Sequence, residues 1–315
     1  MSKIAIVGAG FIGRAWAISF ARAEHEVALW DPKPEACAAA LRYIEGLLPQ
    51  LESFDLLGGA TPAQALARMR AAATLEDALD GAVHVQENTP ENLSVKREIF
   101  TRLDEAAGRD AVLASSTSAI LPSKFTGHLS GRERCLVAHP INPPYLIPAV
   151  EVVPAPWTRP DVMQATAALL RAAGHAPILM KRELDGFVMN RMQGALLEEA
   201  FRLVSEGYAS VEDIDVGIRE GLALRWSFMG PFETIDLNAP GGVRDYVERY
   251  QSIYADIFPT VQWRADWAGP VLDEVEAARR AALPAQDLAA RQAWRDKRLM
   301  ALAAHKRAAD KDVGT

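Results

Sequence analysis

The chain has 315 residues, a formal net charge of −7 and a hydrophobic content of 50%. This length exceeds what one hydrophobic core usually organises, so we expect two domains, and the acidic balance disfavours nucleic acid and favours a small-molecule partner. The two cysteines, the lack of an apolar run of about 20 residues and an N-terminus that leads directly into an apolar strand predict a soluble, cytoplasmic protein without a membrane span.

The first predicted strand, Ile4 to Val7, leads into the glycine-rich turn GAGFIG and then into a helix. Gly8 permits the tight turn, Gly10 lets the backbone approach a phosphate, and Gly13 lets the helix pack closely against the strand. A glycine-rich turn that binds nothing is the alternative, but the strand before it and the helix after it favour a dinucleotide site at the helix N-terminus. The residues expected to form the phosphate turn are Gly8, Gly10, Phe11, Ile12 and Gly13.

An acidic residue, Asp31, closes the next apolar run, EVALWD, 18 positions after Gly13. A carboxylate at this point of a βαβ unit accepts hydrogen bonds from the ribose hydroxyls and repels a 2′-phosphate. The sequence therefore favours NAD over NADP as the cofactor.

Beyond Asp31 a helical excursion over about 41–75 precedes further strands that alternate with helices, as in a doubly wound α/β sheet. The predicted strands are 82–87, 111–116, 135–140, 149–153 and 176–181, and the later helical patterns lie near 187–206, 211–220, 242–257, 270–282 and 286–309. We therefore predict a Rossmann-type NAD-binding domain over 1–185, including that excursion, followed by an all-helical substrate and dimerisation domain over 186–315.

The segment AHPINPPYLIPAVEVV (138–153) places His139 at the end of an apolar run and surrounds it with prolines. Ligands of open α/β sheets bind beyond the carboxyl ends of strands, and an imidazole, with an ordinary pKa near ~6.5, can act as a general base there. Glu151, twelve positions on, could accept a hydrogen bond from the other ring nitrogen and set its tautomer. A packed core histidine and a surface glutamate fit these residues equally well.

Ordered motifs along essentially the whole chain resemble the L-3-hydroxyacyl-CoA dehydrogenase superfamily, and within it the lambda-crystallin branch of L-gulonate 3-dehydrogenases. These motifs are GAGFIG, QENTPENLSVKREIF, SSTSAILPSKFTG, VAHPINPPYLIPAVEVVP, DGFVMNRMQ, LRWSFMGPFETIDLN and ARQAWRD. The resemblance implies reversible hydride transfer between NAD and a hydroxyl-bearing carbon, and a homodimer.

The resemblance also implies roles for individual residues. His139 corresponds to the catalytic base and Glu151 to its electrostatic partner. Ser118, in the S-x-T-S turn, and Asn190, in the GF-x-x-NR helix, correspond to residues that hydrogen-bond the reacting oxygen. On their own these two would be interpreted as a turn residue and a helix cap.

For the cofactor, the resemblance implies that Glu91 and Lys96 contact the dinucleotide and that Asn142 lies beside the nicotinamide. Without it they would be assigned to a solvated helix face and a proline-flanked turn. No metal is expected, because the cysteines and histidines lack the spacing of ligands.

Two departures from the CoA-dependent members bear on the substrate. The excursion over 41–75 contains no lysine, and its three arginines are balanced by three acidic residues, which disfavours binding of the CoA polyanion. Arg225 precedes the MGPFE motif, where a guanidinium could clamp a substrate carboxylate or form a structural ion pair. We therefore expect a free L-3-hydroxy acid such as L-gulonate.

Other substrates and one other class of function stay open. L-Carnitine would require aromatic contacts to its trimethylammonium group, for which Trp226, Phe228 and Tyr145 are candidates. A short-chain L-3-hydroxyacyl-CoA is a further alternative. A non-catalytic, NAD-binding structural protein of the crystallin type is the alternative of another class, although it would need none of the proposed catalytic residues.

Overall fold

The computed structural model of the protein describes residues 1–257 and 266–314. The chain divides into two compact units: Met1–Met189 together with Asp296–Thr315, and Asn190–Arg295. The first division falls close to the boundary expected at 185/186. The C-terminal segment from Asp296 differs from the expectation, because it belongs to the first unit rather than to the helical one.

The first unit is built on one sheet of eight strands. The strands are β1 (Lys3–Val7), β2 (Glu26–Trp30), β3 (Met69–Ala71), β4 (Ala82–Glu87), β5 (Val112–Ser115), β6 (Cys135–Pro140), β7 (Ala149–Pro154) and β8 (Ala176–Leu179). Their order is β3-β2-β1-β4-β5-β6-β7-β8, and every neighbouring pair is parallel except β6 and β7. The predicted doubly wound α/β sheet is confirmed.

Helices cover both faces of this sheet. They are α1 (Phe11–Arg22), α2 (Pro34–Ser53), α3 (Pro62–Ala67), α4 (Leu75–Leu79), α5 (Leu93–Ala106), α6 (Pro122–Thr126) and α7 (Pro160–Ala172). Because side chains alternate along a strand, Ile4 and Ile6 of β1 pack in the core with α1, α2 and α7, whereas Ala5 and Val7 pack with α4, α5 and α6. Burial on both faces explains why these strands are nearly continuous apolar runs.

The second unit contains helices joined by turns, and no strand among its described residues. Its helices are α8 (Met189–Ser205), which starts at the last residue of the first unit, α9 (Val211–Val216), a π-helical turn (Gly217–Leu222), α10 (Ala223–Trp226), α11 (Pro231–Leu237), α12 (Gly242–Ile257), α13 (Pro270–Ala282) and the beginning of α14 (Leu288–Val313). The rest of α14 lies in the first unit, where Met300 is buried in the core beside α1, α2 and α7.

Within residues 1–257 and 266–314, no helix is both long enough and apolar enough to cross a lipid bilayer.

Candidate active site

The glycine-rich turn between β1 and α1 leaves room for a ligand at one position and none at the others. Gly8 has a φ of +93°, and a Cβ at Gly13 would lie 1.9 Å from the carbonyl oxygen of Gly8. A Cβ at Gly10, the residue that precedes α1, would meet no atom within 4 Å. The open space at Gly10, in front of the amide groups of a helix N-terminus, fits a pyrophosphate.

Asp31 lies at the end of β2, beside this turn. One carboxylate oxygen accepts a hydrogen bond of 2.9 Å from the amide of Ala9, and the other accepts one of 2.9 Å from the amide of Lys33. The carboxylate therefore stands next to the glycine-rich turn, as an acidic group that receives the ribose of NAD must. The residues present fit the cofactor.

Glu91 holds the turn that follows β5. Its Oε1 accepts hydrogen bonds from the hydroxyl of Thr117 at 2.6 Å and from the amides of Ser118 and Ala119 at 3.1 Å each. The Ser118 side chain is exposed at this edge of the sheet. Glu91 thus positions Ser118 through the backbone, and its predicted contact with the dinucleotide remains a prediction.

Lys96 forms a buried ion pair beneath the same edge. Its Nζ lies 2.9 Å and 3.1 Å from the two carboxylate oxygens of Glu87, the last residue of β4, and also donates to the carbonyl oxygen of Thr89 at 3.0 Å. Glu87 accepts a further hydrogen bond of 2.6 Å from Ser115 at the end of β5. This pair fastens α5 to two strand ends, and the expected contact between Lys96 and the cofactor stays a prediction.

His139 and Glu151 face each other across the antiparallel pair of β6 and β7. Both side chains are buried, and His139 Nδ1 lies 2.7 Å from Glu151 Oε2. Because Nδ1 is engaged, Nε2 is the ring nitrogen that remains for proton exchange with a substrate. The second oxygen of Glu151 accepts hydrogen bonds from the amides of Val188 and Met189, at 2.7 Å and 2.8 Å.

These contacts keep Glu151 ionised. Burial raises the pKa of this carboxyl, but the hydrogen bonds from His139 and from the amides of Met189 and Val188 outweigh that effect and hold the pKa below its ordinary value. An ionised carboxylate can stabilise a positive charge on the imidazole. The pair therefore has the components of a general base with an orienting anion.

Phe187 is a neighbour of the histidine that the sequence analysis missed. Its ring centroid lies 5.6 Å from that of His139, and its backbone adopts a φ of +50°. Packing against this ring, which is buried, restricts rotation of the imidazole. The DGFVMN motif contained the signal, since it places an aromatic residue next to the amides that bind Glu151.

The remaining predicted residues lie in two places. Asn142 follows β6, and its Oδ1 is buried without a hydrogen-bond partner among the described residues. Asn190 and Arg225 belong to the second unit, the former as the second residue of α8. Arg225 donates a hydrogen bond of 3.3 Å to the side-chain oxygen of Asn238, and within the described part of the chain it has no carboxylate partner. The approach of Asn190 and Arg225 to a substrate stays a prediction.

The described residues contain no group of three histidine, cysteine, aspartate or glutamate side chains that could hold a metal ion. The hydrogen-bonded pair of His139 and Glu151 is suited to acid–base chemistry, and the glycine-rich turn with Asp31 is suited to a dinucleotide.

Comparison with known proteins agrees with this arrangement. The NAD-binding domain of 3-hydroxyacyl-CoA dehydrogenase matches residues 3–183, and the C-terminal domain of the same family matches residues 186–268. The lambda-crystallin homolog of Bos taurus is 42% identical over 303 residues, which cover 95% of this chain and 94% of the relative. The L-carnitine dehydrogenase of Burkholderia mallei is 39% identical over 251 residues, which cover 79% of this chain and 77% of the relative.

A solved structure is similar over nearly the whole chain. The 5-formyl-3-hydroxy-2-methylpyridine 4-carboxylic acid 5-dehydrogenase, described as an NAD+-dependent dismutase, superposes with a TM-score of 0.80 at 30% identity and covers 96% of this chain and 97% of its own. The glycine-rich turn with Asp31 and the matched domains agree on the cofactor and on the class of chemistry. The chain therefore belongs to the 3-hydroxyacyl-CoA dehydrogenase family of NAD-dependent oxidoreductases.

Proposed function

We propose that the protein oxidises the 3-hydroxyl of a free L-3-hydroxy acid, as an L-gulonate 3-dehydrogenase would, with His139 as the general base. The observation that carries this proposal is the buried hydrogen bond of 2.7 Å between His139 Nδ1 and Glu151, which directs Nε2 to proton exchange. Bound NAD supplies the acceptor for the hydride that leaves the hydroxyl-bearing carbon.

In the proposed reaction each side chain has one task. His139 Nε2 takes the hydroxyl proton while the C–H bond breaks and the C–O bond gains double-bond character, so the substrate loses one hydride and one proton. Glu151 stabilises the resulting imidazolium and holds the ring in place. Ser118 and Asn190 would hydrogen-bond the reacting oxygen and orient the carbon.

The charge of the helical excursion supports a free acid rather than a CoA ester. Two of its three arginines already have acidic partners: Arg68 pairs with Glu24 at 3.1 Å, and Arg70 pairs with Asp77 at 2.7 Å. The positive charge that the excursion could present to the phosphates of CoA is therefore partly offset. We propose that Arg225 instead binds the carboxylate of the small acid, since its contact with the neutral side chain of Asn238 leaves its charge available.

L-Carnitine is the second candidate substrate, and it is itself a 3-hydroxy acid. Trp226 and Phe228 follow Arg225 in the sequence. Both are exposed and could face a trimethylammonium group. Tyr145, the third aromatic candidate, is buried in the core of the first unit and is not available for such a contact.

A parallel assay separates these possibilities. NADH formation would be followed by absorbance with L-gulonate, L-carnitine, L-3-hydroxybutyrate and L-3-hydroxybutyryl-CoA. We expect kcat/KM for at least one free acid to exceed that for the CoA ester by about tenfold or more, which corresponds to about 1.4 kcal/mol. A preference for the CoA ester would contradict the proposal, and turnover of none of the four would favour the crystallin-type structural role.

We also propose that the protein is a homodimer. Helix α12 has no buried residue, although apolar side chains recur along it every three or four positions. These side chains, each 39% to 45% exposed, are Val243, Val247 and Tyr250. An apolar stripe at this spacing is typical of a helix that packs against another, and a second copy can cover it by two-fold symmetry.

A cytoplasmic location is proposed as well. Both cysteines, Cys37 and Cys135, are buried and unpaired, as is usual in a reducing compartment.

A further inference from the structure

The first unit contains a cavity of about 600 Å³ at the end of α1 that is remote from the glycine-rich turn. Its wall is formed by the end of α1, the loop between β6 and β7, the end of α7 and the part of α14 that lies in the first unit. Since α1 has 12 residues, its length of about 18 Å separates this cavity from the turn that holds the pyrophosphate. The cavity is therefore distinct from the cofactor site.

Most of the wall is apolar. Leu146 and Ile147 contribute from the loop, and Leu299, Leu302 and Ala303 contribute from α14. A cavity of this volume is within the range of sites that enclose a small ligand, and an apolar wall favours an acyl or aryl group.

The polar part of the wall is cationic. Arg22, Lys306 and Arg307 line the cavity, whereas Asp310 is the one acidic residue among the lining residues. Arg307 is partly compensated, because it lies 3.5 Å from Asp55 and donates to the carbonyl oxygen of Phe54 at 3.0 Å. The cavity therefore has an excess of positive charge.

Arg22 is the centre of this excess. Among the described residues, its guanidinium donates to one acceptor, the carbonyl oxygen of Tyr145 at 2.7 Å, and it has no carboxylate partner. Burial, and then the neighbouring charge of Arg307, lower the pKa of Arg22 to about 10. The guanidinium remains protonated at neutral pH, so a partly buried positive charge with unused donors faces an apolar cavity.

We propose that this cavity binds an amphipathic monocarboxylate, with the carboxylate on Arg22 and the hydrocarbon chain against the leucines of α14. A guanidinium and a carboxylate match in geometry and charge, and the pairing offsets the desolvation of the partly buried cation. The short hydrocarbon chain matches the apolar wall, which a compact, strongly hydrated anion such as phosphate would leave uncovered.

The experiment is a calorimetric titration of octanoate into the NAD-saturated enzyme, with octan-1-ol as the uncharged probe. We expect octanoate to bind at least tenfold more tightly than octanol. Arg22→Met is expected to weaken octanoate binding by tenfold or more, because it removes the charge and keeps an extended side chain. Arg42→Met, at an exposed position of α2 outside the cavity, is the matched control and is expected to leave the affinity within twofold.

Leu302→Trp is the second test, because Leu302 is exposed at the rim and its replacement obstructs the cavity without disturbing the core. If Arg22→Met does not fold, Leu302→Trp still tests whether octanoate binds in this cavity. No binding of octanoate, equal affinity in wild type and Leu302→Trp, or displacement of octanoate by the hydroxy-acid substrate would overturn the proposal. Enzymatic turnover is a separate readout, so the failure of this proposal leaves the proposed function untouched.

Discussion

At the scale of single residues, one antiparallel strand pair brings together the proposed acid–base pair, His139 and Glu151. β7 and β8 run opposite to the other six strands, and this reversal at β7 brings Glu151 directly opposite His139. Residues opposed in this way have Cβ atoms about 4.5–5.5 Å apart on the same face, close enough for a direct hydrogen bond.

Arg225, which we propose binds the carboxylate of the substrate, is the first residue to test. Arg225→Met is expected to raise KM for the hydroxy acid by about tenfold or more while changing kcat less than threefold, because a salt bridge to a carboxylate that does not react stabilises ground and transition states alike. Steady-state kinetics with saturating NAD would measure both constants. Arg219→Met, which removes an arginine already paired with Glu212 and Glu220, is the matched control. An unchanged KM in Arg225→Met would remove Arg225 from the substrate site.

Residue types alone predicted the glycine-rich turn, Asp31 and His139 as chemical candidates, because each of them lies at the end of an apolar run. They could not predict what holds the turns in place. Lys96 pairs with Glu87, nine positions away, and Glu91 caps the Ser118 turn, 27 positions away, and no spacing rule marks such contacts. The tertiary fold alone brings these partners together.

At the scale of elements, two glycines of the β1–α1 turn are expected to have different roles, Gly13 in folding and Gly10 in cofactor binding. Gly13→Ala places a methyl group against the carbonyl oxygen of Gly8 and is expected to lower the free energy of unfolding by about 2 kcal/mol or more. Gly10→Ala meets no protein atom, so we expect near-normal stability and much weaker NADH binding. Urea denaturation and NADH fluorescence titration measure the two effects. Equal loss of stability in both variants would contradict this account.

The apolar stripe of α12 is expected to form the interface of the homodimer. Val247→Asp places a charge in the middle of the stripe, and we expect the mass measured by light scattering to fall from two chains to one. Arg244→Asp, an exposed change on the same helix beside the stripe, is the control for charge alone. A wild-type mass of one chain, or a dimer that survives Val247→Asp, would rule out this interface.

The sequence predicts some helices and strands more accurately than others. Helix α12 is predicted at 242–257 and found at Gly242–Ile257, since its amphipathic pattern runs for several turns. Strand β3 was missed because it has three residues, MRA, of which Met69 alone is buried, and its pairing with β2 creates it. Helix α11 was missed because its two turns, between Gly230 and Asn238, carry little periodic signal.

At the scale of the whole molecule, three buried histidines link stability to pH. His25 and His84 pack near Phe20, and His175 packs against Trp16. Burial lowers the pKa of His84 and of His175 to about 4, and it lowers the pKa of His25 as well. Each has at least one ring nitrogen without a partner among the described residues.

The protein is therefore expected to lose stability in acid. A neutral buried histidine contributes its full share above the unfolded pKa of about 6.5, and the share is lost as the pH falls from there towards 4, because the unfolded chain binds the proton more tightly. At pH 5, His84 and His175 should each cost about 2 kcal/mol relative to pH 7. Urea denaturation at both pH values measures the difference, and the double variant His84→Asn, His175→Asn should flatten it. An equally steep pH profile in that variant would contradict the assignment.

The division of the whole chain was predictable only in part. A change from alternating strands and helices to helices alone marked a boundary near 185/186, close to the observed end of the first unit at Met189. The sequence could not predict that the part of α14 from Asp296 packs in the first unit, because a long helix with apolar residues such as Met300 can pack against any apolar surface.

We propose that His139, oriented by Glu151, takes the proton from a hydroxy acid whose hydride goes to NAD. The most direct measurement is kcat for His139→Gln beside the dissociation constant of NADH for the same variant. We predict a fall in kcat of about 10²-fold or more with NADH affinity unchanged within about twofold, since the residue acts in proton transfer and not in holding the dinucleotide. A variant that turns over as fast as the wild type would contradict the account.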